Sequence, residues 1–302
     1  MGSGFAPIAF CEGHGTLGAS VQGSRLIAFS LIRSLVSSFG QTLAFLVLMG
    51  TYPLHARDGA TEVDVELVFA VDISYSMDTT EQRLQRQGYI EALRSEPFLN
   101  ALKSGSTGRI AVTYLQWASE IDQDVLVPWT LIDGPASASA FAEQLANLPY
   151  RRAQRTSISG AIDAAVKLFT GNGFASARQV IDVSGDGPNN SGRPVTQARD
   201  EALAQGVTIN GLPLVGIRPY VSPADIAELD IYYEDCVIGG FDAFMVPIRD
   251  AQSFVEATRT KLVREIASLP PPLRPLVQRA ALREPRISCM IGESLWRNRW
   301  GN

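Results

Sequence analysis

Asp72, Ser74 and Ser76 alternate in the stretch Asp72-Ile73-Ser74-Tyr75-Ser76, so one carboxylate and two hydroxyls can face a single loop concavity. Thr156 adds a hydroxyl where a helix is expected to begin after a loop. Asp186 adds a second carboxylate in the turn Gly185-Asp186-Gly187, whose glycines let the backbone approach closely. All five are hard oxygen donors. They suit Mg²⁺, which takes six oxygens in an octahedron and usually keeps some waters. Two carboxylates would balance a divalent charge. Mn²⁺ and Ca²⁺ fit the same donor types, which do not select among the three. The structural competitor is that Asp72 and the serines simply cap a loop and the next helix. On that reading Thr156 and Asp186 are coincidences.

For these residues to meet, the chain must bring distant segments to one edge. Residues 65–71 form a nearly continuous apolar run ending at Asp72, the pattern of a strand buried on both faces. A helix is expected from about Thr80 to Leu102, with Pro97 kinking or ending its first part. Strands follow at 109–117 and 124–132, close enough for a hairpin and an antiparallel edge. Helices are expected at 137–148, capped near Ser137 or Ser139, and at 157–169, stopped by Gly171-Asn172-Gly173. A strand at 179–183, a helix at 195–205, a strand at 207–215, a short helix opening at Ser222-Pro223, a strand at 244–248 and a helix at 251–266 complete the pattern. Strands alternating with helices predict an α/β fold: a doubly wound, mostly parallel central sheet with one antiparallel edge strand. In open sheets of this kind ligands bind at the carboxyl ends of the strands, where Asp72 and Asp186 fall.

Asp72, Ser74 and Ser76, with Thr156 and Asp186, resemble the metal-ion-dependent adhesion site of von Willebrand factor A domains and integrin inserted domains. The resemblance covers roughly residues 63–267. The stretch Val183-Ser184-Gly185-Asp186-Gly187-Pro188-Asn189-Asn190 is also similar to that of an uncharacterised family of secreted bacterial proteins with this fold. One departure stands out: the third motif often reads Thr-Asp-Gly, and here it is Gly185-Asp186-Gly187, with Ser184 one place earlier. The resemblance implies adhesion-like binding, in which the metal keeps an open position for an Asp or Glu of a protein partner. Arg151, Arg152 and Arg155 precede Thr156 and either ring the metal face or form a solvated loop. Tyr75 either contacts the partner or packs inward.

The remaining composition narrows the function. The chain has 302 residues, 46% hydrophobic and 19% charged, with a net charge of −5. This is globular rather than disordered, and it lacks the basic stripe of a nucleic-acid binder. Both histidines, His14 and His55, precede the globular part, so Ser-His-Asp, Cys-His and His-ligated zinc chemistry have no histidine there. An Asp at the end of a first strand is also similar to haloacid dehalogenase-like phosphatases, where it is the nucleophile of a Mg²⁺-dependent hydrolase. Those carry a second Asp two positions on, where this chain has Ser74. A non-enzymatic module is therefore expected. Asn189-Asn190-Ser191 fits a glycosylation sequon and is read here as turn chemistry.

Three regions are expected: a leader at 1–56, a von Willebrand factor A-like domain at 57–268, and a Pro-rich, basic-aromatic tail at 269–302 outside that domain. In the leader, Arg25 and Arg33 precede the apolar run at 43–49 and the small residue Ala56, the layout of a signal peptide. Cleavage after Ala56 would make the protein periplasmic or secreted, and an uncleaved leader would tie it to the membrane. Residues 1–24 are glycine-rich with no Lys or Arg, so a downstream start is expected. Export permits a Cys236–Cys289 disulfide, and two unrelated thiols are the other reading.

Overall fold

The chain enters its sheets with a two-residue strand, Thr61–Glu62 (β1), and then with Val65–Asp72 (β2), which is buried at all eight positions. Asp78 caps the following helix, Thr79–Arg94 (α1). Its carboxylate accepts from the Thr80 and Glu81 amides at 2.7 and 2.8 Å, while Glu81 Oε2 accepts from the Asp78 amide at 2.9 Å. This reciprocal pair satisfies donors that a helix start leaves open. The single helix expected to Leu102 is two. The first ends at Ser95, whose side chain caps Glu96–Ser104 (α2) with Pro97 in its first turn. Proline lacks the N–H that a first turn cannot use, so Pro97 starts a helix rather than kinking one.

The computed structural model describes residues 59–215, 226–267 and 285–301, all within the unit Arg57–Asn302. The leader, the short helix expected to open at Ser222-Pro223 and most of the proline-rich stretch lie outside the described residues. The chain continues through Ile110–Trp117 (β3), Gln123–Ile132 (β4), Pro135–Ala146 (α3), Ile158–Leu168 (α4), Phe174–Ala175 (β5), Gln179–Gly185 (β6), Val195–Ala204 (α5) and Val207–Pro213 (β7). Leu229–Tyr232 (α6) runs into a π-helical turn, Tyr233–Val237, followed by Phe254–Ile266 (α7) and Ile291–Trp300 (α8).

The central sheet has the order β4-β3-β2-β6-β7, and β1 pairs with β5 in a small separate sheet. Within the central sheet β3–β4 is antiparallel and the other pairs are parallel. One face packs on α1, α2, α3 and α7 through Phe69, Tyr89, Phe141 and Leu262. The other packs on α4, α5 and the 229–237 segment through Val68, Ile162, Ala198 and Tyr233. The sheet is doubly wound with one antiparallel edge, as its alternation of elements predicts. The strand expected at 244–248 is reduced to two parallel bridges, Gly211 with Met245 and Leu214 with Ile248.

Two features depart from an ordinary core. Lys261 of α7 is fully buried between Asp182 of β6, at 2.5 Å, and Glu265 one helical turn on. The sequence also places the C-terminal tail outside the domain. Its described part, 285–301, is tied to residues 234–236 through the Cys236–Cys289 disulfide and through Arg286, which pairs with Glu234 at 2.5 Å and Asp235 at 2.7 Å.

Candidate metal centre

Asp72 closes β2 and Asp186 follows β6. These strands pair in parallel, so both carboxylates arrive at the same sheet edge. Asp72 Oδ1 accepts from the Ser74 amide at 2.7 Å, which curls the loop. Ser74 Oγ and Ser76 Oγ lie 2.8 Å apart, and Ser76 Oγ donates to Asp186 Oδ1 at 2.7 Å. Four of the five expected donors thus form one hydrogen-bonded chain across the ends of β2 and β6.

Thr156 is held between the same loops. On one side Ala153 forms a parallel bridge with Ser74, and its amide donates to the Ile73 carbonyl at 3.0 Å. On the other, the Thr156 amide donates to Asn190 Oδ1 at 2.9 Å, and the Asn190 amide returns to the Thr156 carbonyl at 2.8 Å. Asn189 Oδ1 accepts from the Ser159 amide at 3.0 Å, where Ser157 Oγ also caps α4 by accepting from Gly160 at 3.1 Å. The two asparagines therefore act as more than turn formers. They lace the loop after Asp186 to the start of α4.

Asp72 is fully buried, and its Oδ2 has no hydrogen-bond partner among the described residues. A buried carboxylate oxygen without a donor is costly, which makes it a place for a cation. Burial, and after it the Asp186 carboxylate, push the Asp72 carboxyl well above its usual range. A Cβ at Gly185 would stand 2.8 Å from Asp72 Oδ2 and 3.2 Å from the Tyr233 hydroxyl. A side chain there would press on the Asp72 carboxylate, and glycine leaves that space open. Tyr233 itself is buried, its hydroxyl has no hydrogen-bond partner among the described residues, and burial followed by Asp72 and Asp186 raises its phenol well above the usual range. Among the described residues no three His, Cys, Asp or Glu side chains gather at one point. The candidate centre is two carboxylates completed by hydroxyls.

The arginines do not act together. Arg151 pairs with Asp124 at 2.6 Å. Arg155, at a left-handed φ of 72°, donates to the Asn190 carbonyl at 2.7 Å and stacks on Trp296 at 3.8 Å. Arg152 donates to the Tyr75 carbonyl and lies 5.3 Å from the Tyr75 ring. Tyr75 is 54% exposed, so it faces outward beside the two serines.

Sequence reasoning missed Tyr233, Asn189 and Asn190 as parts of the site. Asn189 and Asn190 stand a few residues after Asp186, a proximity that could have flagged them. Nothing local marks Tyr233, which reaches the site through the π-helical turn.

This sheet, wound on both faces with the loops of β2, α4 and β6 at one edge, is a von Willebrand factor A fold. Residues 62–270 match the family described as a protein of unknown function, DUF1194, and the chain belongs to that family. No curated protein matches. The solved structures it is similar to include proximal thread matrix protein 1 from the mussel byssus with a zinc-occupied MIDAS motif, 13% identical with a TM-score of 0.50 over 69% of this chain and 49% of that one. They also include a von Willebrand factor type A protein from Catenulispora acidiphila, 18% identical with a TM-score of 0.45 over 68% of this chain and 43% of that one. BatB from Bacteroides thetaiotaomicron is 18% identical, with a TM-score of 0.41 over 68% of this chain and all of that one. The chain spans about half the length of the mussel protein. Likeness at this identity concerns the fold.

Proposed function

We propose that the protein is an exported, non-enzymatic binding module that takes one divalent cation, Mg²⁺ before Mn²⁺ or Ca²⁺, at Asp72, Ser74, Ser76, Thr156 and Asp186. Its partner is a protein offering an Asp or Glu. The observation that carries this reading is the buried Asp72 Oδ2 without a donor, beside a hydrogen-bonded chain that ends on Asp186. A zinc-occupied MIDAS motif in the mussel protein lends support, since that structure has the same fold.

When bound, the cation supplies an electrophilic position for a partner carboxylate. This chain's own residues do the positioning. Asp72 and Asp186 carry the balancing charge, and Ser74 and Ser76 bridge them with hydroxyls. Asn190 holds the Thr156 backbone against the Asp186 loop, and Gly185 leaves space for the Asp72 carboxylate. Tyr75 and Arg152 stand outermost and are the first contacts for a partner, with Arg151 and Arg155 flanking them. The signal-peptide layout at 1–56 supports delivery to the periplasm or beyond.

The test is retention of envelope proteins on the immobilised domain. A protein retained in Mg²⁺, lost in EDTA and lost with Asp72→Ala is expected. Equal retention by wild type and Asp72→Ala contradicts the reading. Hydrolysis of a generic phosphate ester that depends on Asp72 would replace it with the phosphatase-like hydrolase.

A further inference from the structure

The segment 285–301 lies beyond the residues matched by the family, 62–270, and it packs on the rim of the candidate centre. Four contacts fix it. Cys289 is bonded to Cys236, which is buried on the same π-helical turn as Tyr233. Arg286 pairs with Glu234 and Asp235 on that turn. Glu293 Oε1 accepts from Asn189 Nδ2 at 2.7 Å, and Gly292 sits so close that a Cβ there would collide with the Asn189 carbonyl. Trp296 covers the Arg155 guanidinium at 3.8 Å. Asn189 belongs to the loop that leaves Asp186, and Arg155 precedes Thr156. The segment therefore covers one side of the frame around the five oxygen donors.

The contacts differ in kind. Arg286 pairs with both oxygens of Asp235 and with Glu234, but it is partly exposed, so water and salt screen these bonds. A ten-residue helix is marginal alone, and α8 buries only Gly292 fully, with Ile291 and the preceding Ile287 and Cys289 partly buried against the core. The covalent bond keeps the helix at high effective concentration against that core. Cys236 is buried, while Cys289 is only half-buried, so Cys289 is the more accessible residue of the pair.

We propose that α8 is a redox-released cover: with the Cys236–Cys289 bond intact it masks Arg155 and the 189–191 loop, and reduction of that bond uncovers them. A dithiol reductant attacks Cys289 Sγ and displaces the Cys236 thiolate, which takes up a proton. The second reductant thiol then resolves the mixed disulfide. Two protein thiols and one oxidised reductant result. The release itself does not depend on the proposed function, which only says what would use the uncovered rim.

Hydrogen exchange on the full chain tests this without metal or partner. Oxidised protein is compared with protein treated with dithiothreitol, reduction being verified by two newly titrated thiols. Exchange in α8 and in 152–156 and 188–192 is expected to rise at least tenfold, with β2 and β6 unchanged. Gly292→Leu in the oxidised protein should uncover the 188–192 loop in the same way. Unchanged protection of α8 after verified reduction would overturn the proposal, because packing alone would then hold the helix. Loss of protection throughout the sheet would also overturn it, because the bond would then hold the fold and not a cover.

Discussion

At the residue scale the site divides into donors and the groups that aim them. The proposed donors come from local signals, because alternation in Asp72-Ile73-Ser74-Tyr75-Ser76 is local and Asp186 sits in a visible turn. The aiming groups do not. Asn190 matters only because it meets the Thr156 amide 34 residues away, at 2.9 Å. Asn190→Ala removes that acceptor and loosens Thr156. Supporting residues of this kind typically change metal affinity about 10–100-fold when removed. Titration of Mn²⁺ by calorimetry should show a loss in that range for Asn190→Ala, and an affinity within twofold of wild type would exclude the role.

At the element scale, periodicity and apolar runs revealed most strands and helices, since each follows from its own residues. What they could not reveal were breaks decided by caps, as at Ser95, and an edge such as 244–248 that makes only two bridges. Nor do they explain why α7 buries charge. Glu265 faces Asp182 and Lys261, accepts from Asn210 Nδ2 at 3.1 Å and lies near Arg178, whose Nη2 bonds its carbonyl; Tyr89 donates to the far oxygen of Asp182 at 3.3 Å. Burial, and after it Asp182, push the Glu265 carboxyl from 4.5 to about 7. Its folded-state value lies above its unfolded one. Its contribution to stability is therefore complete below about pH 4.5 and is lost as pH rises through about 7. Glu265→Gln should flatten the fall in unfolding free energy over this window, by up to ~1.4 kcal/mol per pH unit. Urea titrations at several pH values measure it, and an unchanged slope would place Glu265 outside the linkage.

At the scale of the whole molecule, the sequence left the pairing of Cys236 with Cys289 open and put the tail outside the domain. The pairing could not be settled locally, since the bond joins residues 53 apart. The leader expected at 1–56 lies outside the described residues and rests on a local pattern, two arginines before an apolar run and Ala56. It predicts a mature protein beginning at Arg57, after Ala56. N-terminal sequencing of the exported protein checks this, and a start before residue 40 would contradict cleavage there.

The convergence of Asp72, Ser74, Ser76, Thr156 and Asp186 on one cation is tested most directly by anomalous diffraction from crystals grown with Mn²⁺. One peak within bonding distance of oxygens from those five side chains, directly or through water, is predicted at the edge where β2 and β6 end. Density that lacks a peak there, or places it away from Asp72, would contradict the account.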